Sequence, residues 1–73
     1  MLHIRVGGDA VEGWQIEVHS GDHFGCYSPA VETAAEAEAD ALKEHEAAFG
    51  LTLDPASAVV EMVPKAQLRQ HAE

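Results

Sequence analysis

The stretch Gly13-Trp14-Gln15-Ile16-Glu17-Val18-His19-Ser20-Gly21-Asp22-His23-Phe24-Gly25-Cys26-Tyr27-Ser28 decides the fold. Trp14, Ile16 and Val18 alternate with Gln15, Glu17 and His19, the period-two pattern of a half-buried strand. Ser20-Gly21-Asp22 is a short turn of the kind that closes a hairpin. Phe24, Cys26 and Ser28 then alternate with His23, Gly25 and Tyr27, a third strand. Upstream, Leu2, Ile4 and Val6 alternate with His3 and Arg5, a first strand broken by Gly7-Gly8-Asp9 and followed by a loop to Gly13. The expected result is a three-stranded antiparallel meander. One face is apolar, with Cys26 among its core positions. The other carries His3, Arg5, Gln15, Glu17, His19, His23 and Tyr27.

Downstream of Pro29, alanine and glutamate, both strong helix formers, dominate residues 31–49. Thr33 and Glu36 match a capping box, so the first regular turn begins at Ala34. Gly50 stands where a C-cap glycine belongs. The inward stripe is read as Val31, Ala34, Ala35, Ala41, Leu42, His45, Ala48 and Phe49. Residues 58–63 are read as a fourth strand because of Val59-Val60 and the closing Pro64. Asp54-Pro55 also suits the start of a short helix, which is the rival for this segment. The fold class is therefore α+β, in the order β-β-β-α-β, with the helix packed across one sheet face. Trp14, Ile16, Leu42 and Phe49 are expected to dominate the core. One domain spans 1–73, with its core in 2–63 and a tail in 64–73 that is read as one or two helical turns or a frayed end.

The chain has 73 residues, 13 acidic and 4 basic, for a formal net charge of −9. A domain of this size buries only about 60% of the surface its unfolded chain exposes. One cysteine, Cys26, excludes an internal disulfide and suits a reducing compartment. The opening residues lack the basic and apolar regions of a signal peptide, and no apolar run reaches the ~20 residues needed to span a bilayer. A soluble, cytoplasmic protein of a bacterial, archaeal or phage-infected cell is expected. The negative charge repels nucleic acid and anionic membranes, and its complement is a basic protein surface. Abundant Asp, Glu and Ala with few lysines also fits a salt-adapted structural domain.

The acids concentrate on the helix. Glu32, Glu36, Asp40 and Glu44 fall at i, i+4 spacing, Glu38 and Glu46 lie nearby, and Lys43 is the only base in the stretch. Such like-charge pairs cost an isolated helix about 0.2–0.5 kcal/mol each, so helix stability alone would not select the column. Successive carboxylates rise by ~6 Å, a spacing that can imitate a run of phosphates. These six acids, with Tyr27 as an aromatic anchor, are the expected partner-binding residues. The partner is expected to be a basic, nucleic-acid-binding protein, and a homodimer through an exposed edge strand is a further possibility.

Catalytic patterns are sparse. Ser20, Ser28 and Ser57 lack a nucleophile-elbow context, and no phosphate-binding glycine loop is present. No enzyme activity and no cofactor are expected. Five histidines (His3, His19, His23, His45 and His71) raise the question of metal. His19-x3-His23-x2-Cys26 resembles ligand spacing, and a three-residue turn would set His19 opposite His23. Structural zinc needs four ligands, which nothing here requires, even with Asp22 or His3 added. No metal site is expected, with His19 and His23 the only candidates. His45 is read as packing at the core edge.

The segments Gly13-Trp14-Gln15-Ile16-Glu17-Val18, Gly25-Cys26-Tyr27-Ser28 and Thr33-Ala34-Ala35-Glu36-Ala37 together resemble the HicB-like antitoxin domain. That family implies a β-β-β-α-β fold over roughly residues 2–63. The chain departs from it in having Val31-Glu32 before the threonine, where Gly-Asp is usual, and in having no separate DNA-binding segment after the domain. Size, charge and layout also resemble small acidic phage inhibitors of the anti-CRISPR type. Both resemblances imply direct occlusion of a nucleic-acid-handling protein.

Overall fold

The computed structural model describes residues 2–68. Strands β1 (Leu2–Asp9), β2 (Gly13–Ser20) and β3 (His23–Tyr27) precede helix α1 (Ala34–Phe49), and strand β4 (Ala58–Met62) follows it. The architecture is α+β. The four strands form one sheet in the order β3-β2-β1-β4. β1 is antiparallel to β2 and parallel to β4, so the chain crosses the sheet through α1.

The first hairpin is longer than the sequence pattern suggests. Pairing continues through Gly7↔Gln15, Gly8↔Trp14 and Asp9↔Gly13. Gly7-Gly8 belongs to the ladder because both sites need glycine. A Cβ on Gly8, at φ 88°, would lie 2.1 Å from the Gly13 carbonyl oxygen, and one on Gly7 would lie 2.8 Å from Leu68 Cδ1. The Asp9 carboxylate accepts hydrogen bonds from the Val11 and Glu12 amides at 2.9 and 2.7 Å and closes the turn.

The second turn holds only Gly21 and Asp22, with Ser20 paired to His23. This corrects the expected faces of β3. His23, Gly25 and Tyr27 lie on the helix side with Ile16 and Val18, while Phe24 and Cys26 lie on the open side with Glu17 and His19. A one-residue change of register moves every side chain of a strand to the opposite face.

Helix α1 begins after Thr33, where the capping box sets its first turn, and the residues from Val31 to Thr33 precede it. Thr33 is extended (φ −126°, ψ 156°), its hydroxyl accepts from the Glu36 amide, and the Glu36 carboxylate accepts from the Thr33 amide. Gly50, at φ 66°, donates to the Glu46 carbonyl and ends the helix. The helix lays Ala37, Ala41, Leu42 and His45 on Leu2, Ile4, Val6, Trp14, Ile16 and Val18. The alanines let the helix axis approach the sheet closely. Trp14 also donates its indole N–H to the Val31 carbonyl at 2.9 Å, fixing the connector between β3 and α1. Three details of the expected stripe differ. Ala37 is buried, Ala35 and Ala48 are exposed, and Phe49 remains 40% exposed at the rim.

Residues 55–63 contain both of the rival readings. Asp54 caps a single 3-10 turn, Pro55–Ser57, and β4 follows it. After Pro64 a second 3-10 turn, Lys65–Gln67, carries Leu68 onto Gly7, where Leu68 is buried on the sheet face opposite the helix. The Lys65 ammonium donates to the Glu12 carbonyl at 3.0 Å and holds this segment against the first hairpin. The expected tail thus packs as far as Leu68, and its part at 69–73 lies outside the described residues. Among the described residues no helix is long and apolar enough to cross a membrane.

Leu68→Ala should lower stability by about 2–4 kcal/mol, measured as a fall in the urea midpoint at unchanged m-value. An unchanged midpoint would show that Leu68 contributes nothing over Gly7.

Candidate functional site

Glu36, Asp40 and Glu44 are exposed along one flank of α1, spaced by successive helical turns. Glu32 is exposed as well, but it precedes the extended N-cap, so the helical column has three members rather than four. Glu36 also serves the capping box, with its Oε1 near both the Thr33 amide and hydroxyl. Glu38 and Glu46 are half-buried. Glu46 has a local structural task, because its carboxylate accepts from the Leu53 amide at 2.8 Å and draws the connector against the helix end. Asp40 and Glu44 are therefore the column members with no hydrogen bond of this kind.

Tyr27 is not an outward anchor. Its hydroxyl meets His45 Nδ1 at 2.7 Å, and Ser20 Oγ meets His45 Nε2 at 2.8 Å. A neutral imidazole has one N–H, so one of these hydroxyls donates to the ring and the other accepts from it. His45 has no exposed surface and joins the helix to two strands. Burial pushes its imidazole below the ordinary value of 6.5, and nearby His23 and His19 add to the effect. Burial likewise raises the Tyr27 phenol, with Glu44 and then Cys26 adding to it. Gly25 makes the arrangement possible, since a Cβ there would fall 2.2 Å from the Tyr27 hydroxyl oxygen.

The open sheet face carries a second polar network. Glu17 is only 2% exposed although it lies on the sheet face opposite α1. Arg5 Nη1 donates to its Oε1 at 3.2 Å, and His19 Nε2 lies 3.1 Å from the same oxygen. Glu61 on β4 meets His3 Nε2 at 3.3 Å and Arg5 Nε at 3.8 Å. The rings of His19 and Phe24 pack at 4.6 Å. Among the described residues, every ion pair involves Glu17 or Glu61, and none involves a carboxylate of α1.

The paired histidines suggested for metal are separated. His19 lies opposite Phe24 on the open face. His23 lies opposite Ser20 on the helix side, against the Phe49 ring at 4.8 Å. Cys26 pairs with Glu17 on the open face instead of facing the core. Among the described residues no group of three or more His, Cys, Asp or Glu side chains is disposed to hold a metal ion. His71 lies outside the described residues.

Sequence reasoning missed the Ser20–His45–Tyr27 network and the burial of Glu17. The available signals were a histidine on an otherwise alanine-rich inward stripe and an arginine at the alternating position across from Glu17. No family model, curated protein or solved structure matches this chain.

Two outcomes follow from His45. Its proton is bound less readily in the folded chain than in the unfolded one, so its contribution is complete above about pH 6.5 and falls as the pH drops below that value. Between pH 7.5 and 5.5, the wild type should lose stability relative to His45→Gln, measured by urea midpoints. Parallel pH profiles would contradict the buried neutral imidazole. Gly25→Ala should displace Tyr27 and cost about 1–3 kcal/mol through overpacking and the broken hydroxyl contact. An intact Tyr27–His45 contact in the variant, seen by NMR, would contradict that account.

Proposed function

We propose that this chain is a non-enzymatic acidic binding protein that inhibits a basic, nucleic-acid-handling protein by direct contact, in the manner of small phage inhibitors of the anti-CRISPR type. Glu36, Asp40 and Glu44 form the contact, with Glu32 extending it beyond the helix start. The supporting observation is charge segregation. The ion pairs of the described residues gather on the sheet face opposite the helix, while Glu36, Asp40 and Glu44 stay exposed and without a cationic partner among those residues. Uncompensated charge of one sign on a rigid helix steers association with a surface of opposite sign and excludes like-charged competitors. The carboxylates repeat at about 6 Å along the axis, so the same lysines and arginines that hold phosphates can accept them. An antitoxin of a toxin–antitoxin pair would occupy its toxin with the same face.

The test uses Asp40→Lys/Glu44→Lys, because Glu36 also starts the helix. The partner is first recovered by pull-down from the native host or a phage-infected culture and identified by mass spectrometry. The double reversal should weaken binding by roughly tenfold or more and flatten its dependence on salt, with the far-UV circular dichroism unchanged. Binding that survives the reversal would make the column solvated surface and overturn the proposal.

A further inference from the structure

Among the described residues, no strand lies beside the outer edge of β4. Helix α1 packs over β1, β2 and β3, which leaves the apolar side chains of β4 in the open. Val59, Val60 and Met62 are 51%, 42% and 62% exposed. Edge strands are ordinarily protected by charges, proline, bulges or brevity. In β4 the only charge is Glu61, which points to the open face and is already held by Arg5 and His3. The opposite edge, β3, is different: Gly25 offers no side chain to a neighbour, and Tyr27 and His23 are engaged with the helix.

We infer that β4 is a self-pairing edge, and that two copies of this chain join β4 to β4 antiparallel in a register centred on Val60. The first argument is backbone direction. The Val63 amide donates to the Val6 carbonyl at 2.8 Å, so Val63 turns its backbone polar groups towards β1. In an extended strand those groups alternate sides. The N–H and C=O of Ala58, Val60 and Met62 therefore point outward. Centring on Val60 pairs Val60 with Val60 of the second copy, and Ala58 with Met62 in both directions. Every residue facing across the seam is then one whose donor and acceptor are free to exchange bonds.

The second argument is side-chain matching. Ala58, Val60 and Met62 share the helix side of the sheet, because their register partners in β1 are Leu2, Ile4 and Val6. A twofold axis normal to the sheet keeps that side common to both copies. The seam on the helix side is then Ala–Met, Val–Val and Met–Ala, continuous with both cores. On the open side Val59 meets Glu61 of the second copy.

Charge supplies the third argument. The chain carries −9, and copies can approach only where carboxylates are absent or compensated. β4 satisfies this, since its one carboxylate, Glu61, is held by Arg5 and His3, and the α1 acids stand on a different element. The assembly would be an eight-stranded sheet bearing two acidic helices on one face. A partner with two basic sites could engage both together.

Sedimentation equilibrium of the full chain over a wide concentration range tests the inference. The wild type should pass from the 7.8 kDa monomer to twice that mass. Val60→Pro removes the central outward amide without touching the β1–β4 bonds, a position where an edge strand tolerates proline. It should raise the dimer dissociation constant roughly thirtyfold or more while leaving the circular dichroism intact. A wild type that stays monomeric throughout, or a dimer that Val60→Pro leaves unchanged, overturns the inference. If Val60→Pro fails to fold, hydrogen exchange on the wild type decides. The Ala58, Val60 and Met62 amides should be slow at dimeric and fast at monomeric concentration, and fast exchange in the dimer overturns it.

Discussion

The two-residue turn at Gly21–Asp22 pairs Ser20 with His23, and the face of every β3 side chain follows from that pairing. It sends Tyr27 towards α1, where its hydroxyl reaches His45 beside Ser20, which the β1–β2 register already holds at the other nitrogen of the same ring. One more residue in the turn would turn His23 and Tyr27 outward, put Phe24 and Cys26 under the helix, and leave one nitrogen of a buried imidazole without its hydroxyl partner. Unpaired burial of such a group costs far more than a typical hydrogen bond contributes. The alanine-rich helix adds little side-chain volume to the core, so a fully satisfied polar contact at its C-terminal half fixes where the helix sits along the sheet.

The placement of charge follows from the same layering. On the face opposite the helix Glu17 is buried, and burial of a carboxylate demands compensation. Arg5 and His19 provide it, and Arg5 also reaches Glu61. The cation nearest the middle of the sheet is thus committed to sheet carboxylates. Nothing comparable reaches Asp40 or Glu44 among the described residues. Their charges face solvent, where repulsion between them is modest and screened by salt. A basic surface docking on that flank relieves the repulsion and gains attraction, which gives the face its proposed role.

Much of the fold was legible because the local signals agreed with one another. Alternation in residues 2–6 and 14–18, the Thr33–Glu36 box and Gly50 each placed an element near its observed limits. What stayed hidden depended on a count of one residue. Ser20-Gly21-Asp22 reads equally as a two- or three-residue turn, and the apolar–polar alternation of β3 is too weak to choose a face, since Tyr27, Phe24 and Cys26 can all be buried. Glu32 joins the column by i, i+4 spacing alone, although the Thr33–Glu36 box already sets it before the first helical turn. Glu46 and Leu68 were obscured for another reason. Their partners, Leu53 and Gly7, are brought near only by the folded chain.

The account rests on the claim that one flank of α1 meets the partner. The most direct measurement is a ¹⁵N-correlated NMR titration of the labelled chain with the recovered partner. The amides of residues 36–44 should shift or broaden first and most, with those of β2 on the open face little affected. Perturbation concentrated instead on His3, Arg5, His19 and Phe24 would place the contact on the open sheet face and contradict the account.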